Sequence, residues 1–562
     1  LKKNTLIFII IFLAVALVRL YFAAILGLGD DEAYYWEWAR HLAWSYFDQP
    51  PMVAFLVWLF ASWGGDTELM VRLGNILLSL MATVFAYLWA KDIFEEEKAA
   101  LWAVLLVSIV PIFALGAIFI FPDGPLGAFW ISTLFLLHKA LRTQKPLFWY
   151  LAGLTWGLAL LSKYNGVLLG LIVLVYLLAV KEDRFWLRRK EPYIASAIAL
   201  LIFSPVLIWN YQNGFVSFLF HLTHTGSKAS SWQSFLLFLF PPFGYLSPLV
   251  YLGAWWALWW VLREGRRRRS TKLLFLSVSS LVPLIFFAVV SFKGKFKPHY
   301  PALGFYPALI AFAGISMSSG ASRRRRRFFI IAFSFCLIFI AGMLASTQWP
   351  ITSRAIMAFK SVASNLHWGD FKPKLERLSV RNDETNDLYG WPQAALQARE
   401  IYASLEQEGR VFIFAERYQI ASPLAFYLGR RSKVYCLSSR RDQYKYFSPP
   451  AAAGSGSGEA VSSSGESQVS LSGRSWKEKI NKFTVRKKHE ATKNFLAEVS
   501  GLRGQNALFV CDSRYFVDPL KKFDFKKVLL EKSLVIKRSD LEVRTFYFYK
   551  CYDFQGLQSD KE

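Results

Sequence analysis

The chain has 562 residues, 54% of them hydrophobic, 17% aromatic and only 19% charged. Its mean hydropathy of +0.29 is high for a soluble protein, yet its formal net charge of +26 is what a nucleic-acid binder would carry. The distribution excludes the second class: apolar runs of about 20 residues, long enough to cross a bilayer, recur over the first 345 positions with Lys and Arg in short clusters between them, whereas nucleic-acid binding calls for a basic face on a soluble domain.

In chain order, LKKNTLIFIIIFLAVALVRLYFAAILG imitates a signal peptide, but it is too long for a signal core and contains Arg19. It reads as a retained first helix. Eleven spans are expected, near 5–27, 67–90, 99–118, 124–141, 147–163, 165–181, 192–209, 243–262, 272–291, 301–318 and 328–345. The fifth and sixth nearly abut, so a re-entrant pair is an alternative. Loops on the N-terminal side carry Lys91 and Lys98, Arg142 and Lys145, the basic residues from Lys181 to Lys190 and from Arg263 to Lys272, and Arg323 to Arg327; the opposite loops are poorer in them. The bias of Lys and Arg toward cytoplasmic loops places the N-terminus in the cytoplasm, and an odd span count puts everything after Ala345 outside.

The chain thus divides into a membrane domain, 1–345, and an extracytoplasmic domain, 346–562. In the second, RVFIFAE, SKVYCLS, NALFVCD, SLVIKR and VRTFYFYK read as strands, and YQIASPLAFYLG as a helix stopped by Gly429. Alternating strands and helices predict a small α/β domain. The Gly/Ser-rich stretch 449–473 buries too little apolar surface to fold and reads as a flexible insertion. Of four cysteines, Cys336 lies in an apolar run; Cys436, Cys511 and Cys551 lie in the tail, where their spacing indicates neither a pairing nor a metal pattern.

Chemistry-bearing residues fall in the outer loops. Asp30, Asp31 and Glu32 follow the first span, Asp123 precedes the fourth, Lys163 follows the fifth, and SFKGKFKPHYP places Lys293, Lys295, Lys297 and His299 on the side that should be poor in cations. A carboxylate at the membrane edge can deprotonate a hydroxyl, and clustered cations there suit a phosphate. Together they suggest group transfer from a lipid-linked phosphate to an acceptor hydroxyl. Each feature also has a purely structural reading: acids at a helix start, Asp123 as a helix cap, lysines that snorkel. Tyr34, Tyr35, Trp36, Trp38 and Trp44 suit an amphipathic interfacial helix. His221 and His224 have a metal-compatible spacing but no carboxylate beside them, a weak pattern.

The motifs DEAYYW, YFDQPP at 46–51 and PDGPLGAFW at 122–130, with HYP at 299–301 and DLYGWPQA at 387–394, resemble the GT-C glycosyltransferases. The similarity is to family 39 and its relatives: protein O-mannosyltransferases, lipid A aminoarabinose transferases and Rgt-type galacturonosyltransferases. The resemblance implies a polyprenyl-phosphate sugar as donor, inversion at the anomeric carbon, Asp31 as catalytic base and Asp123 as its companion. It also implies interfacial helices at about 32–62 and a carrier-phosphate site on the loop from Lys293 to His299. Glu32 and Tyr300 are further candidate substrate contacts, and Lys163 is either a phosphate ligand or an interface anchor. Aminoarabinose transferases carry Lys before the first-loop Pro pair; here Asp48-Gln49 stands there, closer to the Rgt-type pattern.

These readings predict a polytopic helical GT-C bundle with an outer α/β domain. The expected enzyme works at the outer face of a bacterial inner membrane, moving a sugar to lipid A, lipopolysaccharide core or another envelope glycolipid. A protein Ser or Thr acceptor is the alternative, and a lipid-linked-sugar flippase a third reading, less suited to acids in loops than at the bilayer midplane. No cofactor and no metal-ligand set is expected; assistance by a divalent ion is left open.

Overall fold

All eleven apolar segments are helical in the computed structural model of the protein, which describes residues 3–224, 231–292, 297–364, 379–438, 442–447 and 494–557. The 449–473 insertion lies outside the described residues. Five helices are individually long and apolar enough to cross a membrane: Lys3–Ile25, Glu68–Phe94, Glu191–Gln212, Thr271–Ser291 and Arg323–Gln348. Three bent pairs pass the same test together, which brings the number to eight. One of them, Glu97–Ile109 with Pro111–Ile118, turns by 68° where Pro111 cannot donate to the preceding turn. The remaining expected spans are helical but fall short on length or apolarity.

Two contacts show how the bundle closes. Pro146–Ser162 and Glu191–Gln212 approach so nearly that a Cβ at Gly153 would stand 2.5 Å from the Ala195 carbonyl oxygen, the small-residue packing expected between membrane helices. The helix Ala302–Met317 is buried at all of its residues. Its sequence is apolar on every face, which suits a core position.

The tail forms a mixed five-stranded sheet: β1 (Val411–Ala415), β2 (Val434–Cys436), β3 (Asn506–Asp512), β4 (Phe523–Arg538) and β5 (Leu541–Leu557), in the order β2-β1-β3-β5-β4. β1 runs parallel to β2 and β3, and the long β4–β5 hairpin is antiparallel. The helix Tyr418–Leu428 makes the crossover from β1 to β2. Cys436, Cys511 and Cys551 are buried free thiols. The domain is tied down at the hairpin end: Arg538 donates to the Ser346 carbonyl at 2.6 Å and to Asn386 at 2.6 Å, and the Tyr389 hydroxyl donates to the Thr347 carbonyl.

The loop after the first membrane helix holds two helices, Asp30–Arg40 and Met52–Gly64. The first corrects an expectation. Tyr34, Tyr35, Trp36 and Trp38 are 1%, 8%, 1% and 0% exposed; the helix packs against Tyr418–Leu428 of the C-terminal domain, with Trp36 edge-on to Phe426. These aromatics therefore bury protein surface instead of anchoring in a membrane interface, while Trp44 and Trp63 are exposed.

A buried ion pair fixes this loop. Arg72, 0% exposed, donates to Glu32 at 2.8 and 2.5 Å and to the carbonyls of Ala23, Leu26 and Gly27 at the end of the first helix. Glu32 also accepts from the Gly29 and Ile120 amides, each at 3.0 Å. Removing one member of such a pair strands the other charge at a cost of about 3–5 kcal/mol. Arg72→Met is expected to lower the melting temperature of the purified protein sharply, and adding Glu32→Met should recover part of the loss.

Candidate active site

Asp31 sits in the first turn of Asp30–Arg40, where the helix dipole favours acids. Its Oδ1 accepts a hydrogen bond from the Tyr418 hydroxyl at 3.1 Å, so the C-terminal domain reaches into the site. Tyr34 stacks on Tyr418 with ring centres 4.2 Å apart. Burial raises the Asp31 carboxyl above the ordinary range, against the pull of the Tyr418 hydrogen bond and the Lys297 charge. Its neighbour Asp30 is raised to about 7 by burial and by the charges of Asp31 and Asp387.

Asp123 opens the helix Asp123–Thr143. The turn is held by Asn75, which donates to the Gly116 and Phe119 carbonyls at 2.9 Å; a Cβ at Gly124 would overlap the Asn75 amide. Lys163, 5% exposed at the end of Pro146–Ser162, donates to both Asp123 oxygens, at 2.8 and 2.7 Å. The same ammonium lies 5.0 Å from the centre of the Tyr300 ring, within cation–π range. His299 Nε2 is 4.0 Å from Asp123 Oδ2. Burial, with Lys163 close by, lowers the His299 imidazole to about 4, so it is neutral at pH 7. Tyr300 is pushed up to about 12 by burial and by Asp123.

The two acid loops and the His299 loop converge. The exposed Lys297 ammonium acts on Asp31, Asp48, Asp123 and His299 together, and the Tyr35 hydroxyl feels Asp31, Asp48, Asp123 and Asp30. Of the residues singled out in the sequence, Asp31, Asp123, Lys163, Lys297, His299 and Tyr300 thus share one region. Glu32 is adjacent, but its oxygens are engaged by Arg72 and two backbone amides. Lys293 and Lys295 lie outside the described residues. His221 Nε2 is 2.6 Å from the Asp48 carbonyl oxygen. Among the described residues no group of three metal-binding side chains forms. Tyr418 and Arg72 escaped the sequence reading; Tyr418 stands 387 positions from Asp31, and no local pattern links them.

Residues 48–209 match the family model described as dolichyl-phosphate-mannose-protein mannosyltransferase. The chain is 26% identical over 265 residues, 46% of its length and 55% of the relative's, to the lipid A galacturonosyltransferase RgtD of Rhizobium johnstonii. It is 26% identical over 362 residues, 59% of its length and 61% of the relative's, to the undecaprenyl phosphate-alpha-4-amino-4-deoxy-L-arabinose arabinosyl transferase of Erwinia tasmaniensis. It therefore spans little more than half the length of these curated relatives. The crystal structure of ArnT from Cupriavidus metallidurans bound to undecaprenyl phosphate superposes with a TM-score of 0.60, covering 96% of this chain and 97% of that one at 17% identity. The chain is a member of the GT-C fold class, a multi-pass membrane protein of ArnT-like architecture.

The Asp123–Lys163 pair offers a direct check on this geometry. Lys163→Met leaves Asp123 half-exposed and unneutralised, and a loss of about 1–2 kcal/mol is expected once solvent screening is allowed for. Thermal melting should show the drop, and Asp123→Asn in the same chain should restore most of it.

Proposed function

We propose that the chain is an inverting glycosyltransferase that takes a sugar from a polyprenyl-phosphate carrier and adds it to lipid A, lipopolysaccharide core or another envelope glycolipid. Its place is the outer face of a bacterial inner membrane, with the N-terminus cytoplasmic and the outer domain periplasmic. The observation that carries this reading is the meeting of Asp31, the Asp123–Lys163 pair and the Lys297–His299 segment in one place. The activities for which RgtD and the aminoarabinose transferase are named support the same substrate classes, as does undecaprenyl phosphate in the ArnT structure.

In this mechanism Asp31 takes the proton of the acceptor hydroxyl as its oxygen attacks the anomeric carbon. The bond from that carbon to the carrier phosphate breaks, and its electron pair leaves with the phosphate. Lys297, with Lys293 and Lys295, offsets the charge that develops on the leaving group. Asp123 holds Lys163 against Tyr300 and so shapes the same region of the site. Glu32 positions Asp31 through the backbone and does not itself touch substrate. The raised carboxyl of Asp31 suits a base: its proton affinity lies nearer the working pH than that of an exposed aspartate. A protein hydroxyl as acceptor is the second reading, favoured by the description of the family model; purified enzyme offered each acceptor separates the two.

Asp31→Asn should reduce transfer by about 10²–10⁴-fold, the usual contribution of a general base, with donor binding retained; turnover near the wild-type rate would defeat the assignment. The acid limb of the kcat/KM profile should fall above the ordinary aspartate value of about 4. Tyr418→Phe removes a hydrogen bond that favours the carboxylate, so the limb should move to still higher pH.

A further inference from the structure

The stretch that follows the membrane helix Arg323–Gln348 is amphipathic and has one face to spare. The membrane helix stops where Trp349 precedes Pro350. Trp349 is extended, with φ −111° and ψ 144°, the conformation that a following proline imposes. A new helix, Ile351–Ser364, begins at once, and the Thr352 N–H donates to Ser346 Oγ at 3.0 Å across the break. One side of this helix is bolted to the C-terminal domain. Ser353 is fully buried; its hydroxyl donates to Asp383 at 2.7 Å and accepts from the Asn386 amide at 3.2 Å. Arg354 pairs at 2.5 Å with Asp540, in the turn between β4 and β5.

The other side is bare. Ile351, Ala355, Ala358, Phe359 and Val362 recur at the helical spacing of three and four residues and form one apolar stripe. Ile351, Phe359 and Val362 are 46%, 53% and 63% exposed, and Trp349 at the bend is 62% exposed. The stripe follows directly on a surface that faces lipid: Ile331, Phe335 and Ile338 of Arg323–Gln348 are exposed in the same way. Tryptophan at the end of a span marks the membrane–water boundary. The helix carries no acid, and its two charges, Arg354 and Lys360, are basic, which suits anionic head groups.

We propose that Ile351–Ser364 is an in-plane membrane helix: its apolar stripe enters the boundary between lipid head groups and acyl chains, while Ser353 and Arg354 hold the C-terminal domain over it. Amphipathic helices with large apolar side chains on one face and basic residues beside them dock in this way. The occupant of the stripe is the bilayer itself, because only Trp349 and Pro350 separate the helix from the span, which keeps it at the membrane edge. The domain held there is the one that supplies Tyr418 to Asp31, so the lipid surface takes part in setting that contact. This docking requires the multi-pass architecture and is independent of sugar transfer.

The test uses the full chain in nanodiscs of phosphatidylethanolamine and phosphatidylglycerol. A nitroxide is attached at Phe359→Cys or Val362→Cys on the stripe, or at Met357→Cys, which is exposed on the other side of the helix; the four native cysteines are buried. Power-saturation spectroscopy compares collisions with oxygen, which concentrates in lipid, and with a water-soluble nickel chelate. The ratio of oxygen to nickel access at Phe359 and Val362 should exceed that at Met357 by at least about threefold. All three positions are exposed, so labelling spares the fold, and either stripe label alone decides the outcome. A stripe ratio no higher than that at Met357 overturns the proposal. Spin–spin broadening on the stripe that vanishes on dilution with unlabelled protein overturns it too, since a second copy would then be what covers the face.

Discussion

The architecture of the site depends on the buried pair of Arg72 and Glu32. Arg72 directs five N–H bonds at Glu32 and at the last carbonyls of the first helix. Glu32 adds the amides of Gly29 and Ile120. Three chain segments are thereby joined at one point: the end of the first membrane helix, the first-loop helix and the approach to the second loop. Asp31 is the residue before Glu32, and Asp123 comes three residues after Ile120. The separation of the two loop acids is therefore governed by a pair that itself has no free oxygen to offer a substrate. A buried ion pair is a poor source of net stability; here its geometric specificity is the more useful property.

Charge is distributed against the average. The chain as a whole is strongly basic, yet the site gathers Asp30, Asp31, Asp48 and Asp123, and its described cations include Lys163, held by Asp123, and Lys297, with Arg544 acting on Asp30. Taking Asp30, Asp31 and Asp48 out of water near one another pushes their proton affinities up, which makes Asp31 a better base than a surface aspartate. Lys297 limits the effect so that the carboxylate form stays accessible. The neutral His299 adds polarity without adding to the positive charge.

Much of this was legible in the sequence because one physical rule dominates membrane segments: backbone polar groups in lipid must be satisfied internally, so long apolar runs become helices. The loop acids stood out for the same reason, as charges at the edge of greasy runs. Other features were hidden. Asp31 and Glu32 are adjacent and chemically alike, and only the position of Arg72 gives them different work. The aromatic helix Asp30–Arg40 has a composition that suits a lipid interface and a protein interface equally, and the C-terminal domain decides between them. Tyr418 lies on a helix that the sequence marked by its stop at Gly429, but nothing in it named the neighbour the hydroxyl would meet. Pro111 and its neighbours looked like one span, and the bend there follows from the missing N–H.

The hairpin anchorage has a consequence for how such proteins diversify. With β4 secured to the final turn of Arg323–Gln348 through Arg538, and Tyr418 reaching Asp31 from the same domain, the C-terminal half is not an interchangeable module. A chimaera assembled from two relatives would inherit a foreign side chain opposite its own aspartate. Acid and hydroxyl would have to be transplanted as a unit, so the two halves are constrained to drift together.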